Sequence, residues 1–189
     1  KLIVQANLIK NKFAIIAPSE KNKNYGFFKK QKKKYYIFKN LISVDYVKGF
    51  AMLLDISKIK KVGMFDDNYF LYLEEIDLCK RLKSKQENIY LCNNAKITHI
   101  SAKSSNIGFE FEKCRNWHWM WSQVYFDKKF YNYIYAVKNN IFKLIKNFLK
   151  KIFFLFILNY KKSYISYLRF SGVYNSLVGN KSWFRPNIG

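Results

Sequence analysis

Cysteine is scarce in this chain, and none of it is paired in sequence. Cys79, Cys92 and Cys114 are widely spaced, with no CxxC. An odd count with no second pair excludes a cysteine-based zinc site and leaves buried thiols in a reducing compartment. No basic segment followed by an apolar run and a small-residue cleavage site opens the chain, so no signal peptide is read there. The first residue is Lys1 rather than Met, which reads as a truncated start. No internal repeat recurs at a period of about 20–50 residues. RNP-like, zinc-finger and helix-turn-helix signatures are missing, which weakens a nucleic-acid-binding reading of the charge.

Acids are also few. The chain has 12 Asp and Glu against 35 Lys and Arg, a net charge of +23. Such a balance invites phosphate, nucleic-acid or membrane partners. Lys, Asn, Ile, Phe and Tyr are enriched together, however, and A/T-rich codons write all five. A biased genome would give this composition to any protein, so the placement of charge says more than its sum. Seven of the 12 acids fall between Asp45 and Asp77, and Glu74, Glu75 and Asp77 lie within four residues.

Half of the 189 residues are hydrophobic and a fifth are aromatic, enough to bury a core and to exclude wholesale disorder. "KFAIIAP" (Lys12 to Pro18) reads as a buried strand closed by proline. Lys21 to Lys39 holds eight Lys and no acid, a loop or mobile hairpin that presents a solvated face or meets phosphate or membrane. "LISVDYVKGFAMLLDIS" predicts one or two strands, with Gly49 at a bulge or a close backbone approach. "SKIKKVG" predicts a short helix, Ser57 near its N-cap and Gly63 past its end. "EEIDLCKRLKSK" predicts a helix whose acidic first turn and basic last turn suit the macrodipole. "NIYLC" and "KITHIS" read as two further strands.

From Phe109 onward the chain turns aromatic and helical. In Ile141 to Tyr160, Ile141, Leu144, Ile145, Phe148, Leu149 and Ile152 recur at helical spacing, opposite Lys143, Lys146, Asn147 and Lys150. The uncharged run Ile152 to Tyr160 is nine residues, short of the ~20 that span a bilayer. Cys114 to Gly189 carries 13 basic residues and one acid, Asp127. A basic aromatic helix of this kind fits a membrane surface, and an ordinary core-facing helix is the alternative.

The acid cluster has two readings from its residues. Dipole complementarity with an Asp77–Arg81 pair at i,i+4 explains it structurally. The other reading is a general base, its pKa raised by the apolar residues beside the helix start. His99 ends a strand and is either a hydrogen-bonded histidine or a metal ligand whose carboxylate partners lie elsewhere.

"VDYVKGFAMLLDISKIKKVGMFDDNYFLYLEEIDLCKRL…NIYLCNNAKITHISAKSS" resembles the central part of family 2 glycosyltransferases, especially bacterial rhamnosyltransferase-like members. Order and spacing match from about Val44 to Ser105. The specific part is "FDDNYFLYLEEIDLCKR", a turn, an aromatic run, paired acids and an Arg. The resemblance implies an α/β chain with a partial GT-A-type fold and a C-terminal helical, basic amphipathic extension. Residues 1–113 would form the acceptor side of the transferase domain and 114–189 the extension. It also implies inverting transfer from a nucleotide-sugar donor, with rhamnose one candidate sugar, to a glycan or lipid-linked acceptor of a cell-surface polysaccharide. A divalent metal, Mg or Mn, would neutralise the leaving diphosphate.

In the family pattern the second acid of the pair, usually Asp, is the base; here it is Glu75. Glu74 matches the acid that orients the site, His99 a position that reaches the metal, and Arg81 an Arg that supports the acidic segment. Gly49 matches a glycine that leaves room for donor or acceptor, followed here by Phe50 rather than Ala. Gly49, Asp77 and Arg81 are thus the expected substrate-binding residues, and Glu74 and Glu75 the catalytic ones. The family's nucleotide-binding strands and Asp-x-Asp motif find no match, so the chain reads as the C-terminal two-thirds of an enzyme. The expected location is the cytoplasm, at the inner face of the plasma membrane, with no nucleic-acid partner. A transferase-like module without activity is the alternative.

Overall fold

The computed structural model describes residues 1–10, 12–20, 36–38, 40–98 and 108–187. They form a mixed α/β structure of two compact units. Residues 1–66 and 74–104 make one, and residues 67–73 and 105–189 the other. A boundary after residue 113 would cut a helix that begins at Gly108. Most of the lysine-rich run, and His99 with the residues after it, lie outside the described residues.

The first unit is a five-stranded mixed sheet with helices on both faces. Its strands are β1 (Ile15–Glu20), β2 (Tyr36–Phe38), β3 (Leu41–Ser43), β4 (Leu53–Leu54) and β5 (Ile89–Ile97), in the order β2-β3-β5-β1-β4. Only β1 and β5 are parallel; the other pairs are antiparallel. Side chains of these two central strands alternate between faces, as the two-residue period requires. Ile15, Ile89 and Leu91 pack with Ile59, Leu78 and Leu82 of helices α2 (Ile56–Lys61) and α3 (Glu74–Ser84). Ile16, Tyr90 and Cys92 pack on the opposite side with Ala6 of α1 (Leu2–Leu8).

Two strands differ from the expectation. Pro18 does not close β1, which continues to Glu20. Proline has no N–H for the ladder, and the register shifts there: Pro18 faces Cys92 but Ser19 faces Lys96. The Ser19 hydroxyl donates to the carbonyls of Asn93 and Ala95, fastening the bulge. On the other side of that bulge, "NIYLC" and "KI" are one nine-residue strand rather than two. At α2 the cap is Asp55, whose Oδ1 accepts from the N–H and hydroxyl of Ser57.

The second unit is built from α4 (Gly108–Phe130), α5 (Tyr133–Phe156) and α6 (Tyr160–Leu177). Asn132 and Asn159 cap α5 and α6, so the chain turns back within two or three residues. Where α4 meets α6, Trp117 Nε1 donates to Ser171 Oγ at 3.1 Å. A Cβ on Gly172 would stand 2.4 Å from the Trp117 carbonyl oxygen, a backbone atom that cannot step aside. Gly172→Ala is therefore expected to cost about 2 kcal/mol or more, as overpacked contacts do. All four tryptophans lie in this unit, so urea unfolding followed by their fluorescence measures it directly.

His118 gives the same unit a pH dependence. It is fully buried, and its Nε2 donates to the Phe184 carbonyl at 2.7 Å. Burial pushes its pKa from 6.5 down to about 4, with the charge of Arg185 acting in the same direction. Between these values the unfolded chain binds the extra proton. Stability is then complete above 6.5 and falls as pH drops toward 4, by up to about 1.4 kcal/mol per pH unit. His118→Gln should flatten that slope in unfolding titrations compared at about pH 7 and about pH 5.

Helix α5 has an unusual sidedness. Its buried residues are Ala136, Asn140 and Asn147, while Ile145, Leu149 and Ile152 are exposed. Of the same stripe, Leu144 is half-buried and the Phe148 ring lies 5.5 Å from that of Phe170 on α6, so the stripe is mostly, though not wholly, turned outward. The inward polar side is tolerated because it is hydrogen-bonded. Asn140 donates to Asp127 and to the Ala136 carbonyl, and Lys143 donates to Gln123 and Asn140.

Candidate active site

Of the residues singled out in the sequence, Gly49, Glu74, Glu75, Asp77 and Arg81 all lie in the sheet unit. Gly49 sits in a turn between buried Val47 and β4. Lys48 fixes that turn through an ion pair with Glu20, at the end of β1, at 2.9 Å. The glycine is needed less for a bulge than for an approach. A Cβ built on it would contact the Cβ, Cγ and Cδ of Glu75 at 3.5, 3.6 and 3.7 Å. Alanine would just touch, and any larger side chain would push the Glu75 carboxylate aside. The room beside Gly49 is thus filled by Glu75 itself.

Glu75 stands in the first turn of α3 and is half-buried. Its carboxylate accepts from the Gly49 N–H and from the amides of Glu75 and Ile76. Burial nevertheless holds its pKa above the usual carboxylate range, and the neighbouring charge of Glu74 adds to this. Glu74 and Glu75 each keep one buried oxygen, Oε2, with no hydrogen-bond partner among the described residues. Such a carboxylate, held by amides on one side and with a spare oxygen on the other, can take a proton from a hydroxyl brought to it.

Asp77 and Arg81 are brought together but turn inward. The Asp77 side chain is fully buried, and Arg81 Nε donates to its Oδ2 at 2.6 Å. The other guanidinium nitrogens donate to the carbonyls of Val62, at 2.5 Å, and Met64, at 2.6 Å. This triple contact ties α3 to the turn after α2, where Gly63 and Met64 have φ of 89° and 53°. The pair acts here as the brace of the helix that carries Glu75. Cys79, one turn beyond Glu75, is a buried thiol pushed up to about 11, chiefly by burial, and is therefore inert. All three cysteines are free and buried.

Two features of this region have no signal in the sequence. Tyr72 and Leu73, the residues just before Glu74, have φ of 69° and 71°. Left-handed backbone costs an ordinary L-residue roughly 1–2 kcal/mol, and no composition signal announces it. In the helical unit, the aromatic run is fastened to α4. Arg115 Nε donates to the Tyr72 hydroxyl, Ser122 donates to the Leu71 carbonyl, and the Tyr72 ring meets Trp119 edge-on at 5.2 Å. The motif that reads as one stretch serves two structures.

His99 lies outside the described residues, and among those described no group of three or more His, Cys, Asp or Glu comes together as a metal centre.

An α/β unit with a paired-acid helix opening is shared by many chemistries, and relatives narrow the class. The chain has a partial relationship to glycosyltransferases. It is 32% identical over 60 residues to the low-salt glycan biosynthesis hexosyltransferase of Haloferax volcanii, covering 32% of this chain and 20% of that protein. It is 36% identical over 75 residues to rhamnosyltransferase WbbL of Escherichia coli, covering 40% of this chain and 28% of that protein. No protein-family model matches the chain, and no solved structure matches it.

Proposed function

We propose that this chain carries the acceptor side of a glycosyltransferase of the family 2 type, with Glu75 as the general base. The observation that carries the reading is the Glu75 carboxylate, gripped by the Gly49 amide, raised in pKa by burial and left with a spare oxygen. In the proposed step an acceptor hydroxyl gives its proton to Glu75 as its oxygen bonds to the anomeric carbon of a nucleotide sugar. The bond from that carbon to the diphosphate breaks, the nucleoside diphosphate leaves with the electron pair, and the configuration inverts. Burial and the neighbouring Glu74 carboxylate together raise the basicity of Glu75. Asp77 and Arg81, turned inward on each other, hold α3 in place, a positioning role rather than a substrate contact.

A divalent metal is implied by the resemblance. The described residues do not by themselves assemble a site for it, and no step is assigned to one. The acceptor class is a glycan or lipid-linked sugar, and hexoses and rhamnose, named in the two relatives, are the first donors to try.

The test is acceptor-dependent release of nucleoside diphosphate by the full-length protein, with Glu75→Gln alongside. Turnover that disappears in the variant supports the assignment. Turnover at the wild-type rate removes Glu75 from the chemistry. No turnover from any donor in the wild type favours a transferase-like module without activity.

A further inference from the structure

The outer side of α5 presents Ile141, Phe142, Ile145, Leu149, Ile152 and Phe156, from 40% to 88% exposed, along one face of a single helix. This is a larger continuous apolar surface than a water-exposed helix carries without a partner. We propose that this face lies on an anionic lipid surface, with α5 parallel to the membrane plane.

Three observations choose this occupant. The first is charge. From Lys128 to Gly189 there are 12 basic residues and no acid. A second copy seated on the face would bring its own cations against these, whereas anionic headgroups would neutralise them. The second is a groove beside the face, about 440 Å³, lined by Lys150, Lys161, Lys162 and Arg169 with a single acid, Glu112. Glu112 pairs with Lys161 at 3.5 Å, so Lys150, Lys162 and Arg169 stand in excess of that pair, a local surplus of positive charge that anionic headgroups would neutralise. The third is sidedness. The polar residues Asn140, Lys143 and Asn147 are turned inward and hydrogen-bonded, so the apolar face has not been left out by a failure to pack.

The helix lies on the bilayer rather than crossing it. Its 24 residues reach about 36 Å at 1.5 Å each, but they include five lysines. Among the described residues no helix is long and apolar enough to cross a membrane. Exposed Tyr160, Tyr164 and Tyr167 near the C-terminal end of α5 suit the headgroup level, where one end of the ring is apolar and the other wet.

This inference does not depend on Glu75, and its test needs no sugar. The full chain is sedimented with phosphatidylcholine vesicles, with and without phosphatidylglycerol, at low and high salt. Binding is expected only with phosphatidylglycerol and is expected to weaken with salt. Phe142→Glu/Leu149→Glu changes two exposed positions, so circular dichroism should stay the same while affinity falls at least about tenfold. Lys150→Gln/Lys161→Gln/Lys162→Gln should lose about a hundredfold. Wild-type binding that ignores phosphatidylglycerol, or undiminished binding by the apolar double variant, would overturn the proposal. So would sedimentation velocity showing a dimer that the double variant abolishes, with no vesicle binding.

Discussion

Glu75→Gln is expected to lower sugar transfer by about 10²–10⁴-fold while leaving the fold at least as stable, because the amide keeps the shape and loses the base. The Gln carbonyl still accepts from the Gly49 N–H and from the first-turn amides that grip the carboxylate. What disappears is the acceptor of the hydroxyl proton. The loss should therefore appear in kcat, with the acceptor KM little changed. In the wild type the acid limb of kcat/KM should lie above the ordinary glutamate value of 4.5, since burial and Glu74 hold the pKa up. Glu75→Asp keeps a base but withdraws its oxygens by about 1 Å, a displacement able to cost about 100-fold.

Stability moves in the opposite direction, and the sign follows from the same shift. An acid with a raised folded-state pKa binds its proton more tightly when folded. Stability is undiminished below the unfolded value and falls as pH rises toward the folded value. Beyond that the loss is constant. Gln removes it, so the variant should equal the wild type at low pH and exceed it at neutral pH. Paired denaturant titrations at the two pH values test this, and a variant less stable at neutral pH would mean that the carboxylate supports the fold rather than the reaction.

The residues of this site were legible where their signals were local. The acidic opening of α3, its basic end, the glycine after α2 and the i,i+4 spacing of Asp77 and Arg81 all act within a few residues of themselves. The contact of Gly49 with Glu75 spans 26 positions and depends on how β1 and Lys48 fix a turn, which no periodicity encodes. The same limit explains β5. A three-residue bulge opposite Pro18 looks in sequence like the end of one strand and the start of another. Helix α5 was legible as a helix with two faces but not as to which face turns inward. Hydrophobicity favours the apolar side, and the structure reverses it through Asp127 and Gln123, side chains one helix away. The aromatic run before Glu74 gave no sign of belonging to a different unit from the acids it adjoins.

Arg81→Met is expected to cost about 3–5 kcal/mol, the largest stability effect of any single change considered for the sheet unit. The substitution keeps most of the apolar stem and removes three hydrogen bonds at once. It takes the cation away from a carboxylate that is fully buried, which is where the loss of one partner is most expensive. It also releases the carbonyls of Val62 and Met64, on either side of two residues held at positive φ. A small domain has only about 5–15 kcal/mol in total, so hydrogen exchange should show α3 opening far more often. Arg81→Lys keeps the charge but replaces a planar fork by one point donor, and an intermediate loss is expected. Asp77→Leu/Arg81→Met removes the buried charge together with its partner, so it should recover much of the stability lost in the single variant. A single-variant cost below about 1 kcal/mol would place the pair with exposed ion pairs and remove it as the brace of α3. If the brace is real, the double variant separates its two tasks. Stability returns with the charges gone, but the carbonyls of the turn remain without their donor, and Glu75 sits on a helix fixed by packing alone. Transfer by the double variant should then stay below the wild-type rate at matched stability, with the change in kcat rather than in donor KM.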